Sequence, residues 1–237
     1  EIPARVRRLR LARRLLRRWR RLCALTRFRL PADEVSFAGC KAAGAGHILK
    51  GTIMIDVIIA LEAELAGRRL PPGFRVTFCG VGKINAALAT AAVLARPDCA
   101  RVVNFGTAGS LRPELAGQLL RVNRMLQRDM DGRPLAALGE TPFEEGRAAG
   151  VIDLGGDGFS LSTGDNFVTA PPDLASDIVD MEGYAIAKAC IRAGVPFTCW
   201  KFVTDLADEN ATANWRENVE KGASAFIMLV GSGGLEP

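Results

Sequence analysis

DIVDMEGYAIAKAC, residues 177–190, carries two structural signals and a chemical one. DIV is a short buried-strand run, and from Gly183 to Cys190 the chain reads as a helix with Ile186, Ala189 and Cys190 on one apolar stripe. Asp180, Met181 and Glu182 stand at the junction. In an α/β unit the carboxyl end of a strand is where ligands dock. Two carboxylates and a thioether at that corner therefore point to a site.

Working outward, the same strand-then-helix alternation begins at residue 53 and argues for βαβ units around a largely parallel sheet. IMIDVIIA (53–60) is a buried strand and LEAELAGRR (61–69) a short helix. FRVTFCGVG (74–82) is a second strand, followed by the helix KINAALATAAVLA (83–95). RVVNFG (101–106) is a third strand that ends in a glycine turn, TAGS (107–110). LLRVNRML (119–126) is a strand and QRDMD (127–131) a loop, and residues 132–158 read as a long surface excursion. FSLSTGDNFV (159–168), DIVDM (177–181) and FTCWKFVTD (197–205) supply more strands, and WRENVEKGASAFIMLV (215–230) is the closing helix. No repeat or linker divides the chain after residue 50, so 51–237 is expected to be one α/β domain preceded by a basic extension, 1–50.

At 237 residues the chain fits one large domain, and 49% hydrophobic residues suffice for a sizeable core. No apolar run reaches the ~18–20 residues that span a bilayer. Residues 1–30 hold twelve Arg and one Glu, about +11. Against a whole-chain +5, the remainder carries about −6, which suits a soluble cytosolic body rather than a nucleic-acid surface. The six cysteines show no CxxC pair or metal-ligand spacing, as reduced cysteines of an intracellular protein do. The one histidine, His47, has no evident Ser or Cys partner. Chemistry here is expected to run on carboxylates, with no metal and no cofactor.

VRRLRLARRLLRRWRRL puts Val6, Leu9, Leu16, Trp19 and Leu22 on one helical face among arginines. It reads either as a basic amphipathic arm that contacts anionic surfaces or as an appended or over-extended start.

Polar residues collect at strand ends: Glu62 and Glu64, Thr107, Asp165 and Asn166, Asp180 and Glu182, Asp205 and Asp208. Each has a structural alternative. Either glutamate also suits the first turn of a helix, Asp205 also suits a helix N-cap, and a Gly-rich turn often only turns. Their joint occurrence at successive strand ends favours a site.

NFGTAGS (104–110), LSTGDNFV (161–168), DMEGYAIAKAC (180–190) and KFVTDLAD (201–208), in this order, resemble the purine nucleosidase/phosphorylase superfamily. The pattern is most similar to 5′-methylthioadenosine/S-adenosylhomocysteine nucleosidases, from about residue 53 to 230. IIALEAEL (58–65) is similar to the family's first strand, and QRDMD to its loop of paired aspartates. The resemblance implies a single-domain, three-layer fold with a mixed, mostly parallel central sheet flanked by helices. It implies that Glu182 accepts from the ribose hydroxyls and that Met181 packs beside the sugar; Asp180 itself reads as structural, holding the turn by accepting backbone N–H bonds, with a functional role as the alternative. Glu64 would activate water and Asp205 would protonate N7 of the purine. Phe167 would stack on the base and the Val168 backbone read its edge, although Phe167 also suits a core. Thr107, Ala108 and Gly109 would line the substrate site, as would Trp215, for which a core position is an equal alternative. Lys201, which stands where many members carry Arg, would also belong to the substrate-binding set. The segment before FRVTFCGVG is short for the family's usual extra strand, and 132–158 matches poorly.

The chemistry implied is N-glycosidic hydrolysis through an oxocarbenium-like sugar, with acid and base on opposite faces. The acidic ALEAEL after the first strand would repel phosphate, which favours water as the nucleophile over a phosphorylase reaction. Alternatives are a nucleosidase for a futalosine-like or adenosyl-hopane-type substrate and a non-catalytic nucleoside-binding protein. The expected partners are a small purine nucleoside and a second copy of the chain, with no nucleic acid at the core. The resemblance also implies a role in methionine salvage.

Overall fold

The β-branched run of the first strand sits at the centre of the molecule because both of its faces are covered. The structure, a computed structural model, describes residues 53–146, 148–206 and 211–235, and within 211–217 the backbone only. The expectations for the basic extension, His47 and Asp208, and for the Trp215 side chain, fall outside what is described. In β1 (Met54–Ile59) the last four residues are buried. Val57 and Ile59 point into one cluster with Val103, Phe105, Phe202, Phe226 and Val230, and Ile58 points into another with Ala86, Val93, Val102, Ile186 and Cys190. Alternate residues of a strand face opposite ways, so these two clusters are the two sides of a three-layer sandwich. Helices α1 (Lys83–Leu94) and α2 (Gly183–Ala193) cover one side. Helix α3 (Ala211–Gly231) covers the other, where the Phe226 ring stacks on Phe105 with centroids 4.0 Å apart.

Among the described residues the sheet has eight strands. β1 pairs in parallel with β2 (Phe74–Phe78) and β3 (Cys99–Ser110), and β3 pairs in parallel with β8 (Phe197–Asp205). β4 (Leu119–Gln127) runs antiparallel to β8 and parallel to β6 (Phe159–Thr163). β7 (Ile178–Asp180) lies parallel to β6 and antiparallel to β3. The pairings β3–β8–β4–β6–β7–β3 thus close on themselves, with β1 and β2 extending from β3 and the short β5 (Ile152–Asp153) extending from β4. Closure leaves few free strand edges. Met125, Leu161, Ile178, Tyr184 and Cys199 belong to a third cluster packed against this ring.

Two expectations need correction. TAGS is not a turn: β3 stays extended through Ser110, and its Ala108 and Gly109 register with Val203 and Asp205 of β8. The small residues serve close approach instead. A Cβ on Gly106 would lie 3.1 Å from Glu64 Oε1 and 3.3 Å from Lys201 Nζ. LEAEL forms only a 3₁₀ turn, Glu62–Leu65, stopped by Ala66 and Gly67 in left-handed backbone. The 132–158 excursion runs mostly over the surface, and it is anchored. It contributes β5 and is tied to α2, where the buried Tyr184 hydroxyl contacts the carbonyls of Gly150 (2.8 Å) and Ala148 (3.2 Å). Lys188 and Arg192 of α2 both pair with Glu144 of this segment. On α2 itself, Tyr184 and Ala187 are buried beside Ile186 and Cys190, while Ala189 is half-buried.

Candidate active site

Of the strand-end residues named from the sequence, Glu64, Thr107, Asn166, Asp180, Glu182 and Asp205 line one cavity of about 330 Å³, and Asp165 does not. Ala108, Gly109, Phe167, Val168 and Met181 line it as well, and Arg128 and Thr204 add to its polar wall. Lys201 is not among the lining residues, and Glu62 is exposed outside the cavity.

Glu64 reaches the cavity because the 3₁₀ turn folds it back over β3. Its Oε1 accepts from the Thr107 amide (2.7 Å) and hydroxyl (2.8 Å), and its Oε2 accepts from the Leu61 amide (3.1 Å). These three donors fix the carboxylate's orientation. Asp205, at the end of β8, is buried, and its Oδ2 accepts from the Thr204 hydroxyl at 2.8 Å.

Asp180 closes β7. It accepts from the Thr163 hydroxyl (2.5 Å) and the Gly183 amide (2.7 Å), and its Oδ2 lies 2.9 Å from Lys201 Nζ. Burial opposes the Asp180 charge, but the ammonium and the hydrogen bonds hold its carboxyl below the ordinary range. Lys201 is raised in turn: burial works against its charge and Asp180 outweighs it. Glu182 stands on the other side of the turn, where its Oε1 accepts from the Gly82 amide at the start of α1, 2.8 Å away. Burial, reinforced by the Asp180 charge and offset by Lys201 and the Gly82 amide, pushes it up to about 7.

Phe167 is 59% exposed at the cavity rim, so the core alternative for it does not hold. The segment that carries it is braced from below. Asp129 Oδ2 accepts from the Asp165 amide (2.8 Å) and its Oδ1 pairs with Lys83 (2.5 Å). Asp165 Oδ1 in turn accepts from the Lys83 amide. Of the paired aspartates, Asp129 alone belongs to this brace; Asp131 pairs with Arg133 at the surface.

Arg128 escaped the sequence reading. It is buried at the end of β4 and lines the cavity, and burial lowers its value. Its place directly after the strand LLRVNRMLQ is the one local cue, and no residue type in the sequence marks its partners. Among the described residues no group of His, Cys, Asp or Glu is arranged to hold a metal ion.

Comparison with known proteins finds the same fold elsewhere. The family model for the phosphorylase superfamily matches residues 74–147 and 136–232, and the chain belongs to that superfamily. Among curated relatives, the 5′-methylthioadenosine/S-adenosylhomocysteine nucleosidase of Geobacillus thermodenitrificans is 29% identical over 181 residues, covering 64% of this chain and 74% of that protein. The enzyme of the same name from Geobacillus kaustophilus is 30% identical over 179 residues, with the same coverages. In fold, the chain is similar to the Helicobacter pylori nucleosidase of that name solved with a pyrrolidine-based ligand. That match has a TM-score of 0.69 and 23% identity, and covers 79% of this chain and all of the other (100%). It is similar also to native Helicobacter pylori futalosine hydrolase, with a TM-score of 0.66, 22% identity and coverages of 78% and 99%.

Proposed function

We propose that this chain hydrolyses the N-glycosidic bond of adenine nucleosides such as 5′-methylthioadenosine and S-adenosylhomocysteine and releases adenine. The observation that carries the reading is the convergence of Glu64, Glu182 and Asp205 on one cavity. The nucleosidase names of the curated relatives support it.

In the reaction, the Glu182 carboxylate accepts from the two vicinal ribose hydroxyls, through charge-assisted bonds about twice as strong as neutral ones. Met181 packs against the sugar, and Phe167 and the Val168 backbone hold the base. Asp205 gives a proton to N7 as the C1′–N9 bond breaks and its electron pair passes to the purine. The oxocarbenium-like sugar is stabilised by the surrounding carboxylates. Water attacks C1′ and gives its proton to Glu64, held in place by Thr107 and Leu61. Asp180 and Lys201 do not take part directly; their ion pair holds the turn that presents Met181 and Glu182.

Water is favoured over phosphate by the cavity wall. Arg128 is the one cationic side chain among the described lining residues, and its terminal nitrogens are committed to backbone carbonyls. Adenine release from 5′-methylthioadenosine, followed with and without inorganic phosphate, tests the assignment. Equal release in both supports hydrolysis, whereas strict dependence on phosphate rejects it.

The same reading covers the finer expectations. A second copy of the chain docks on α1, where Ile84 (73% exposed) and Leu88 (67% exposed) stand with exposed Ala87, Ala91 and Ala92 on a face without a single charge. Residues 51–237 form the catalytic domain, and the basic stretch 1–50 is an extension that meets anionic surfaces. The enzyme works in the cytoplasm, in methionine salvage. Among the described residues no helix is long and apolar enough to cross a membrane.

A further inference from the structure

Arg128 holds four backbone carbonyls at once. Its Nη1 donates to the carbonyls of Ser162 (2.6 Å) and Asp180 (2.7 Å), and its Nη2 donates to those of Gly164 (3.1 Å) and Asn166 (2.6 Å). No carboxylate is hydrogen-bonded to it among the described residues, and its Nε is buried without a partner. A buried cation is costly to desolvate, and an apolar side chain would join β4 to β6 without that cost. The four carbonyls explain its presence. Asn166 immediately precedes Phe167 and Val168, and Asp180 immediately precedes Met181 and Glu182. One rigid planar fork therefore spans the segment that faces the base and the turn that faces the sugar. Gly164 makes room for it: a Cβ there would stand 3.0 Å from Arg128 Cγ, Nε and Cζ.

We infer that Arg128 is a positioning residue that sets the spacing between the base-holding segment 164–168 and the ribose-holding turn 180–182. The inference rests on the nucleosidase reading, since the spacing matters only if a base and its sugar occupy these two places. The guanidinium need not touch the substrate. It acts through the carbonyls ahead of Phe167 and Met181, and a displacement of about 1 Å in such a support costs up to about a hundredfold in effect. Lysine keeps the charge but places three donors on a single nitrogen and cannot reproduce the fork.

The test uses two variants of the full chain, Arg128→Lys and Gly164→Ala; the second leaves the arginine in place but drives its guanidinium aside. The readouts are the KM for 5′-methylthioadenosine, the competitive inhibition constant of adenine, kcat, and the melting temperature. The expected result is that KM and the adenine constant rise together by about ten- to a hundredfold in both variants, with kcat changed by no more than a few-fold. The adenine constant does not depend on the fraction of active protein, so a merely structural role would leave it unmoved. Unchanged KM and adenine constants, a loss confined to kcat or to the folded fraction, or failure of both variants to fold would each overturn the inference. Wild-type protein that releases no adenine would refute the nucleosidase reading and this inference with it. An active wild type with unaltered variants refutes this inference alone.

Discussion

The ammonium of Lys201 lies 2.9 Å from the Asp180 carboxylate, and both side chains are sealed from solvent beneath the turn that presents Glu182. Removing one partner of such a pair strands the other charge, at a cost of about 3–5 kcal/mol. Lys201→Met should therefore lower the melting temperature steeply, while Lys201→Met with Asp180→Asn should recover part of the loss. Thermal melts of the two proteins check this. Equal stability of Lys201→Met and wild type would mean the pair does not brace the turn.

Glu182 sets an expected pH dependence. Its carboxyl is pushed up to about 7 by burial, with the Asp180 charge adding to the effect. A carboxyl whose value is higher in the folded than in the unfolded chain stabilises the fold while protonated. That contribution is present below the ordinary glutamate range and is lost as pH rises through about 7. Binding runs the other way, because the charged form accepts from both ribose hydroxyls. kcat/KM should thus climb as pH rises through about 7, and Glu182→Gln should abolish that limb while flattening the stability difference between about pH 5 and pH 8. A rate profile unchanged by Glu182→Gln would remove Glu182 from substrate binding.

Asp205→Asn removes the proton donor to N7 but keeps a hydrogen-bond donor. Adenine nucleosides should still bind, with kcat reduced by about 10²- to 10⁴-fold. Residual activity should shift toward inosine-like substrates, since an amide donates to a 6-oxo purine. Steady-state constants on adenine and hypoxanthine nucleosides decide it; undiminished adenine release would take Asp205 out of the acid role.

The uncharged face of α1 predicts association. Wild type should sediment as a dimer, and Ile84→Glu with Leu88→Glu as a monomer, because two charges cannot be buried there unpaired. A monomeric wild type would leave this face without the partner proposed for it.

Most of the layered architecture was legible from residues 53–230, because β-branched runs alternate with helical periods and each site carboxylate follows a strand. What was not legible depends on contacts distant in sequence. The antiparallel pairing of β3 with β7, which closes the ring, has no local signature. TAGS looked like a turn because glycine permits one, whereas here Gly106 and its neighbours admit Glu64 and Lys201 close to the strand. Lys201 was expected among the substrate-binding residues, but strand alternation cannot reveal that its buried ammonium pairs with Asp180, 2.9 Å away. Arg128 was missed for the same reason: its four partners are backbone carbonyls, which leave no trace in residue identity.

Water activation by Glu64 is checked by the turnover of Glu64→Gln on 5′-methylthioadenosine. The amide keeps the shape and still accepts through its carbonyl from Thr107, but it cannot take a proton from water. The expected result is near-normal substrate affinity with kcat lower by about 10²- to 10⁴-fold. Near-full turnover by a folded Glu64→Gln protein would contradict the mechanism.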